Sequence, residues 1–171
     1  CPAPAYAQKA QKKEDKDVVV DSASDLPKLE DVATITGRLE LAFPGAGGLL
    51  ELGDLCGFEG LQHVGGAVLI TETDVKTLDG LQNLSFVGNG VLVHDNGELV
   101  DVLGLRNLVV AVPPEGRDFG IGLANNRKLD EDAIQALRDA LADSAPDVKV
   151  FNCGNKDSAI AVCPNLSDLL D

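Results

Sequence analysis

Aromatic side chains are scarce in this chain. Its 171 residues include no Trp, one Tyr and five Phe. The core must therefore be built from Leu, Val, Ile and Ala, which hold the hydrophobic share at 44% despite that shortage. The same scarcity argues against a surface that stacks bases or sugar rings, since stacking needs exposed aromatic faces. Basic residues are also few: 14 Lys and Arg stand against 28 Asp and Glu, for a formal net charge of −14. Residues 1–16 carry Lys9, Lys12, Lys13 and Lys16 against Glu14 and Asp15, a balance of +2 that leaves −16 on the rest. So acidic a body repels phosphate backbones, and no nucleic-acid partner is expected. Two His and no second cysteine pair argue against a zinc site. No apolar run is long enough to cross a bilayer as a helix. The length suits one well-buried domain rather than two.

Converging catalytic groups are missing as well. His63 and His94 fall in different phases of the repeat described below, so they should not meet. Ser85, Ser144 and Ser158 lack the Gly-flanked setting of a nucleophile elbow. Asp130-Glu131-Asp132 resembles a cation site, yet acidic residues collect at helix N-termini through the dipole, and capping is the simpler reading. Gly45-Ala46-Gly47-Gly48 and Gly65-Gly66 lack the Lys and following helix of a phosphate cradle. No enzyme activity, cofactor, metal or small-molecule substrate is expected. One enzymatic alternative stays open: a glycan-binding or glycan-cleaving protein of the envelope, with an acidic pair in the inserted loops at 42–55 or 113–118.

What the chain does have is a repeat from Ile35 to Asn126. Ile35-Thr36-Gly37-Arg38-Leu39-Glu40-Leu41 sets a pattern that returns as Val64-Gly65-Gly66-Ala67-Val68-Leu69-Ile70 and as Val87-Gly88-Asn89-Gly90-Val91-Leu92-Val93. Phe119-Gly120-Ile121-Gly122-Leu123 is a looser fourth copy. From Leu41 to Ile70, Val93 and Leu123 the steps are 29, 23 and 30 residues. Periods of that size mark a solenoid in which each coil adds one strand to its neighbour. The strands alternate, with Leu39 and Leu41 on one side and Arg38 and Glu40 on the other. In the next coils the outward positions turn apolar or small (Ala67, Leu69, Gly90, Leu92), so the middle strands should be covered on both faces, as parallel sheets are.

A second element precedes the strands: Gly60-Leu61-Gln62-His63, Gly80-Leu81-Gln82-Asn83 and Gly104-Leu105-Arg106-Asn107. Its Gly is expected to supply a positive φ and its Leu to fill the coil. After the strands, Asn96-Gly97-Glu98-Leu99 and Asn126-Arg127-Lys128-Leu129 share Asn-x-x-Leu, so stacked Asn side chains should hydrogen-bond the backbone at one corner. Residues 1–17 read as a flexible tether with little to bury. Val18-Val19-Val20 reads as an edge strand or N-terminal cap, and Asp25-Leu26-Pro27 as punctuation. A helix is expected over 130–142, capped by Asp130 or Asp132 with Gln135 as a capping-box partner. It would close the end of the stack. Val148 to Phe151 then forms a last strand, and 164–171 an apolar tail. Cys153 and Cys163 enclose a Gly-Asn loop that suits a disulfide in an oxidising compartment. Cys56 is expected as a small buried apolar residue, with a Cys1–Cys56 bridge as the alternative.

The stretch at 80–96, Gly-Leu-Gln-Asn-Leu-x-x-Val-Gly-x-x-Val-Leu-Val-x-x-Asn, resembles the receptor L-domain repeat, with weaker copies at 60–70 and 104–126. That family covers the ectodomains of insulin- and epidermal-growth-factor-type receptors and bacterial secreted or lipid-anchored versions. The resemblance implies a mainly β, α/β solenoid over 18–163: a short right-handed β-helix or leucine-rich-repeat-like stack of about four to five coils, with parallel strands and a C-terminal capping helix. It implies fold well and ligand poorly. The chain departs from the pattern at 42–55 and 111–118, where inserted loops should carry specificity. Phe43, Pro44, Pro113, Pro114 and Arg117 are therefore the candidate partner-binding residues. The chain also opens on Cys1 and contains no Met. In this it resembles a mature bacterial lipoprotein, which implies a covalent lipid on Cys1 as the membrane anchor. Together these readings imply a non-enzymatic lipoprotein. It would bind other proteins of a bacterial cell-envelope complex, at the outer membrane by expectation, with the solenoid as scaffold.

Overall fold

The computed structural model of the chain describes residues 12–42, 49–160 and 163. The described chain is mainly β and forms two parallel sheets. Strands enter these sheets alternately. β1 (Lys12–Glu14), β3 (Val32–Ile35), β5 (His63–Val64), β7 (Phe86–Val87) and β9 (Val110–Ala111) lie side by side in a five-stranded sheet. β2 (Val18–Val20), β4 (Leu39–Leu41), β6 (Val68–Thr71), β8 (Val91–His94), β10 (Ile121–Ala124) and β11 (Val150–Cys153) form a six-stranded one. α1 (Glu131–Ser144) sits between β10 and β11 and breaks the alternation.

Register follows from which side chains must be dry. Leu39, Val68, Val91 and Ile121 pair across the six-stranded sheet, and Leu41, Ile70, Val93 and Leu123 form the next inward row. In the five-stranded sheet the inward row is Ile35, Val64, Val87 and Ala111. All belong to one apolar cluster, which Leu55, Leu78, Leu81, Leu84, Leu99 and Leu105 fill from the connecting turns. A slip of one residue would turn a whole row outward, and each buried Leu or Val contributes about 1.5–3 kcal/mol, so the register is held firmly. Ile134, Leu137 and Leu141 bring one face of α1 onto the same cluster.

The turns settle where the repeat begins. Short 3-10 turns at Cys56–Phe58 and Leu103–Leu105 match the Gly80-Leu81 turn in position. A Cβ on Gly57, Gly80 or Gly104 would collide with the carbonyl oxygen of Leu26, Leu55 or Leu78 respectively, in the preceding repeat. The equivalent glycines are thus 57, 80 and 104. The copy read at Gly60 is three residues out of phase, because Gly60 takes the place of Asn83 and Asn107. Close approach is the reason for these glycines, not a positive φ, which only Gly80 of the three adopts.

A polar column runs through the apolar interior where the chain leaves the six-stranded sheet. The Asn126 side-chain carbonyl accepts from the Asn96 backbone N–H at 3.1 Å, and that of Asn155 accepts from the Asn126 N–H at 2.8 Å. The Asn96 carbonyl accepts from Thr73 N–H (3.0 Å) and Thr73 Oγ1 (2.7 Å). Each amide Nδ2 donates back to a strand carbonyl, from Asn96 to Ile70, from Asn126 to Val93 and from Asn155 to Leu123. All three Asn are buried. The residue before each member has a left-handed backbone: Glu72, Asp95, Asn125 and Gly154 have φ of 53°, 57°, 54° and 61°. That sharp corner frees the backbone groups which the column then satisfies. The sequence pattern predicts two of these Asn, and the structure adds Asn155 and Thr73.

Three expectations change. Residues 12–17 are not tether: Lys12–Glu14 pairs with β3, and Asp17 accepts from the Arg38 N–H at 2.9 Å. The helix runs Glu131–Ser144, two residues beyond the expected 142, with Asp130 as cap accepting from Ala133 N–H. Gln135 bonds Asp139 instead of closing a capping box. Val18–Val20 does lie at the sheet edge.

Two substitutions test this account in denaturant melts. Gly104→Ala should destabilise strongly or prevent folding, whereas Gly97→Ala, with open space around its Cβ, should be neutral or add up to about 1 kcal/mol. Asn126→Ala strands the Asn96 N–H and the Val93 carbonyl, so it should cost about 2–5 kcal/mol. Asn107→Ala, which loses one exposed bond to Gln82, should cost less than about 1.5 kcal/mol.

Candidate functional site

The two sheets present opposite outer surfaces. On the six-stranded sheet the outward row is Val19, Glu40, Leu69, Leu92, Gly122 and Phe151. Its middle is dry. Leu69 and Leu92 join Ala67 in a separate small cluster covered by Phe119. Gly122 leaves room for the Phe119 ring beside Leu92, and Phe119 stacks on Phe151 with centroids 5.0 Å apart. The ring of Pro114 lies against Gly90. The segment 111–118 therefore folds back over the sheet, which corrects the expectation of a projecting partner loop. Pro114 is part of that cover. Pro113 is exposed, and half-buried Arg117 closes the turn through its N–H to the Pro114 carbonyl at 3.0 Å. Phe43 and Pro44 lie outside the described residues.

The five-stranded sheet is open by contrast. Its outward row reads Lys13, Thr34, His63, Phe86 and Val110. The His63 imidazole and the Phe86 ring stack in parallel planes with centroids 4.2 Å apart. Beside them, at β9, Val109, Val110 and Val112 are 56%, 38% and 41% exposed. β9 is the last strand of that sheet, so the strip ends at an edge. Three β-branched side chains and a ring pair thus form one apolar strip on an otherwise acidic surface. The repeat that pairs Val64 with Val87 sets His63 against Phe86, as found, whereas the out-of-phase copy at Gly60 sets it against Asn83.

No catalytic constellation forms from the residues considered for one. His63 and His94 lie in different sheets, and His94 Nδ1 stands 2.8 Å from Asp95 Oδ2. Two of the three acids at the helix start have structural roles: Asp130 caps the helix, and Glu131 binds Arg138 and accepts from Asn152 Nδ2 at 2.6 Å, while Asp132 is exposed. Among the described residues, no three His, Cys, Asp or Glu side chains are placed to hold a metal ion. At the other end of the fold, the Lys12 ammonium lowers the pKa of Glu14 and the Lys28 ammonium lowers that of Asp25, in each case by a hydrogen bond. Both acids are half-exposed surface groups, and their pairs orient surface side chains without weighing on stability.

Cys153 and Cys163 form a disulfide, closing the Gly-Asn loop after β11. Cys56 is half-buried and also disulfide-bonded, which corrects its reading as a small buried apolar thiol. Cys1, the expected lipid site, lies outside the described residues. No described helix is long and apolar enough to cross a membrane. Comparison with known protein families, with curated proteins and with solved structures finds no match for this chain. Any functional reading must come from the surface itself.

Peptide mapping without reduction checks the thiol chemistry. Cys153 and Cys163 should be recovered in one cross-linked peptide, with Cys56 unreactive to alkylation until a reductant is added. Alkylation of Cys56 in the native chain would contradict the structure.

Proposed function

We propose that the alternating sheets are two walls of one right-handed solenoid of the receptor L-domain kind, acting as a non-enzymatic protein-binding scaffold in a bacterial cell envelope. Repeat-to-repeat parallel pairing of both sheets supports the solenoid reading, and parallel crossovers of this kind are overwhelmingly right-handed. Disulfides support an oxidising compartment, where secreted and envelope proteins reside. The observation that carries the binding role is the exposed strip of Val109, Val110 and Val112 beside the His63–Phe86 stack. A soluble chain with few aromatics gains nothing from leaving these side chains wet, and contiguous apolar surface of this kind marks a contact site. The occupant is another protein, one with an apolar patch ringed by neutral or basic groups that tolerate the acidic flanks of this chain.

In this reading the protein works as an accessory or assembly subunit of a larger envelope complex. Anchoring by a lipid on Cys1 is separable: it needs the Cys1 sulfur free of Cys56, and an acyl mass on the Cys1 peptide of the native chain supports it.

Site-specific photo-cross-linking in the native host tests the surface. A photoreactive residue at position 110 should give one discrete heterologous adduct, whereas the same residue at Glu98, on another part of the surface, should not. Equal adducts from both positions, or none from position 110, would count against this face as the binding site.

A further inference from the structure

A cavity of about 340 Å³ opens between the 3-10 turn Ala23–Lys28 and the turn Cys56–Phe58, away from the β9 strip. Leu26 and Leu52 line it with buried apolar surface, and Pro27 forms part of its exposed rim. Three carboxylates also line it. Glu30 and Asp54 are exposed, while Glu59 is 9% exposed. No Lys or Arg is among the described lining residues. Lys28, at the end of the Ala23–Lys28 turn itself, is engaged with Asp25.

Glu59 is the anomaly. Its Oε1 is buried and has no hydrogen-bond partner among the described residues. Its backbone is held, because the Glu59 carbonyl accepts from Asn83 Nδ2 at 2.7 Å. A carboxylate oxygen taken out of water without a donor is strongly disfavoured, so such a group in a folded protein points to a partner that is absent. Asp54 has one oxygen committed to the Cys56 N–H at 3.0 Å, and Glu30 is free to add negative potential at the mouth.

We propose that this cavity binds a primary ammonium group on an aliphatic stem, with Glu59 as its acceptor and Glu30 and Asp54 as the attracting rim. An ammonium brings three donors and a full positive charge to a site that offers acceptors only. The stem lies along Leu26, Pro27 and Leu52, as lysine stems lie along apolar surface elsewhere. A divalent metal fits less well, since these acids do not converge as ligands among the described residues. A neutral sugar is disfavoured because no aromatic ring is among the described lining residues. The ammonium has two possible sources, a lysine side chain of a partner protein or a free alkylamine. This site does not depend on the β9 strip.

Isothermal titration of the full disulfide-bonded chain tests the assignment, with 1,5-diaminopentane and a neutral-capped lysine peptide as separate probes. Binding of either supports the site, and the tighter of the two identifies the source. Glu59→Gln keeps the shape but removes the charge, so affinity should fall about tenfold or more. Its thermal midpoint should stay level or rise, because an unpaired buried charge has gone. Glu115→Gln makes the same charge change on the remote 113–118 turn and should bind as the parent does. Three outcomes would overturn the proposal: no binding of either amine, equal loss in Glu59→Gln and Glu115→Gln, or calcium binding that Glu59→Gln abolishes while the amines stay silent.

Discussion

The column of Thr73, Asn96, Asn126 and Asn155 sets the terms for the rest of the fold. Parallel strands in strict register must all turn at the same place, and each turn strands N–H and C=O groups inside an apolar stack. A side-chain amide supplies acceptor and donors at the required spacing, so the side chains of Asn96 and Asn126 serve the preceding repeat while the N–H at each of their own corners is taken by the next Asn. Once that corner is fixed, the inward rows of Leu, Val and Ile follow from alternation. Length variation is pushed elsewhere: the long steps come from 42–55 and 111–118, both outside the column.

That constraint explains why the two outer faces differ. The insertion at 111–118 folds back so that Pro114 and Phe119 cover the middle of the six-stranded sheet, whose outward Leu69 and Leu92 would otherwise be wet. Among the described residues no equivalent cover lies over the five-stranded sheet at β9, where three valines remain exposed. The β11 strand extends one sheet past the other, because α1 takes up the chain that would have added a sixth strand beyond β9. The difference between the two faces thus arises from how one repeat is interrupted. The surface carries an apolar strip at one end and an acidic cavity near the other.

Much of the architecture is legible in the sequence because it is periodic. Ile35, Val64 and Val87 announce one inward row, and Leu41, Ile70, Val93 and Leu123 another, since burial at a fixed spacing leaves no other pattern. Asn96 and Asn126 are legible for the same reason. The phase at Gly60 is not, because glycine was read for its backbone freedom while these positions need glycine for close approach to a neighbouring carbonyl. Only the contact of Gly57 with Leu26 reveals which glycine is meant. Lys12–Glu14 is illegible too: three charged residues look like solvent-exposed tether until β3 offers them a ladder.

By itself the sequence determined a repeating, acidic, aromatic-poor β protein with a helix near its end and a disulfide loop after it. Those properties are written in composition and spacing, which act locally and recur. Tertiary structure alone decided which residues share a surface. His63 meets Phe86, Pro114 meets Gly90, and Glu59 lines one cavity with Leu26, though the members of each pair lie more than twenty residues apart. Such meetings depend on register and on the path of one insertion, which no local pattern encodes.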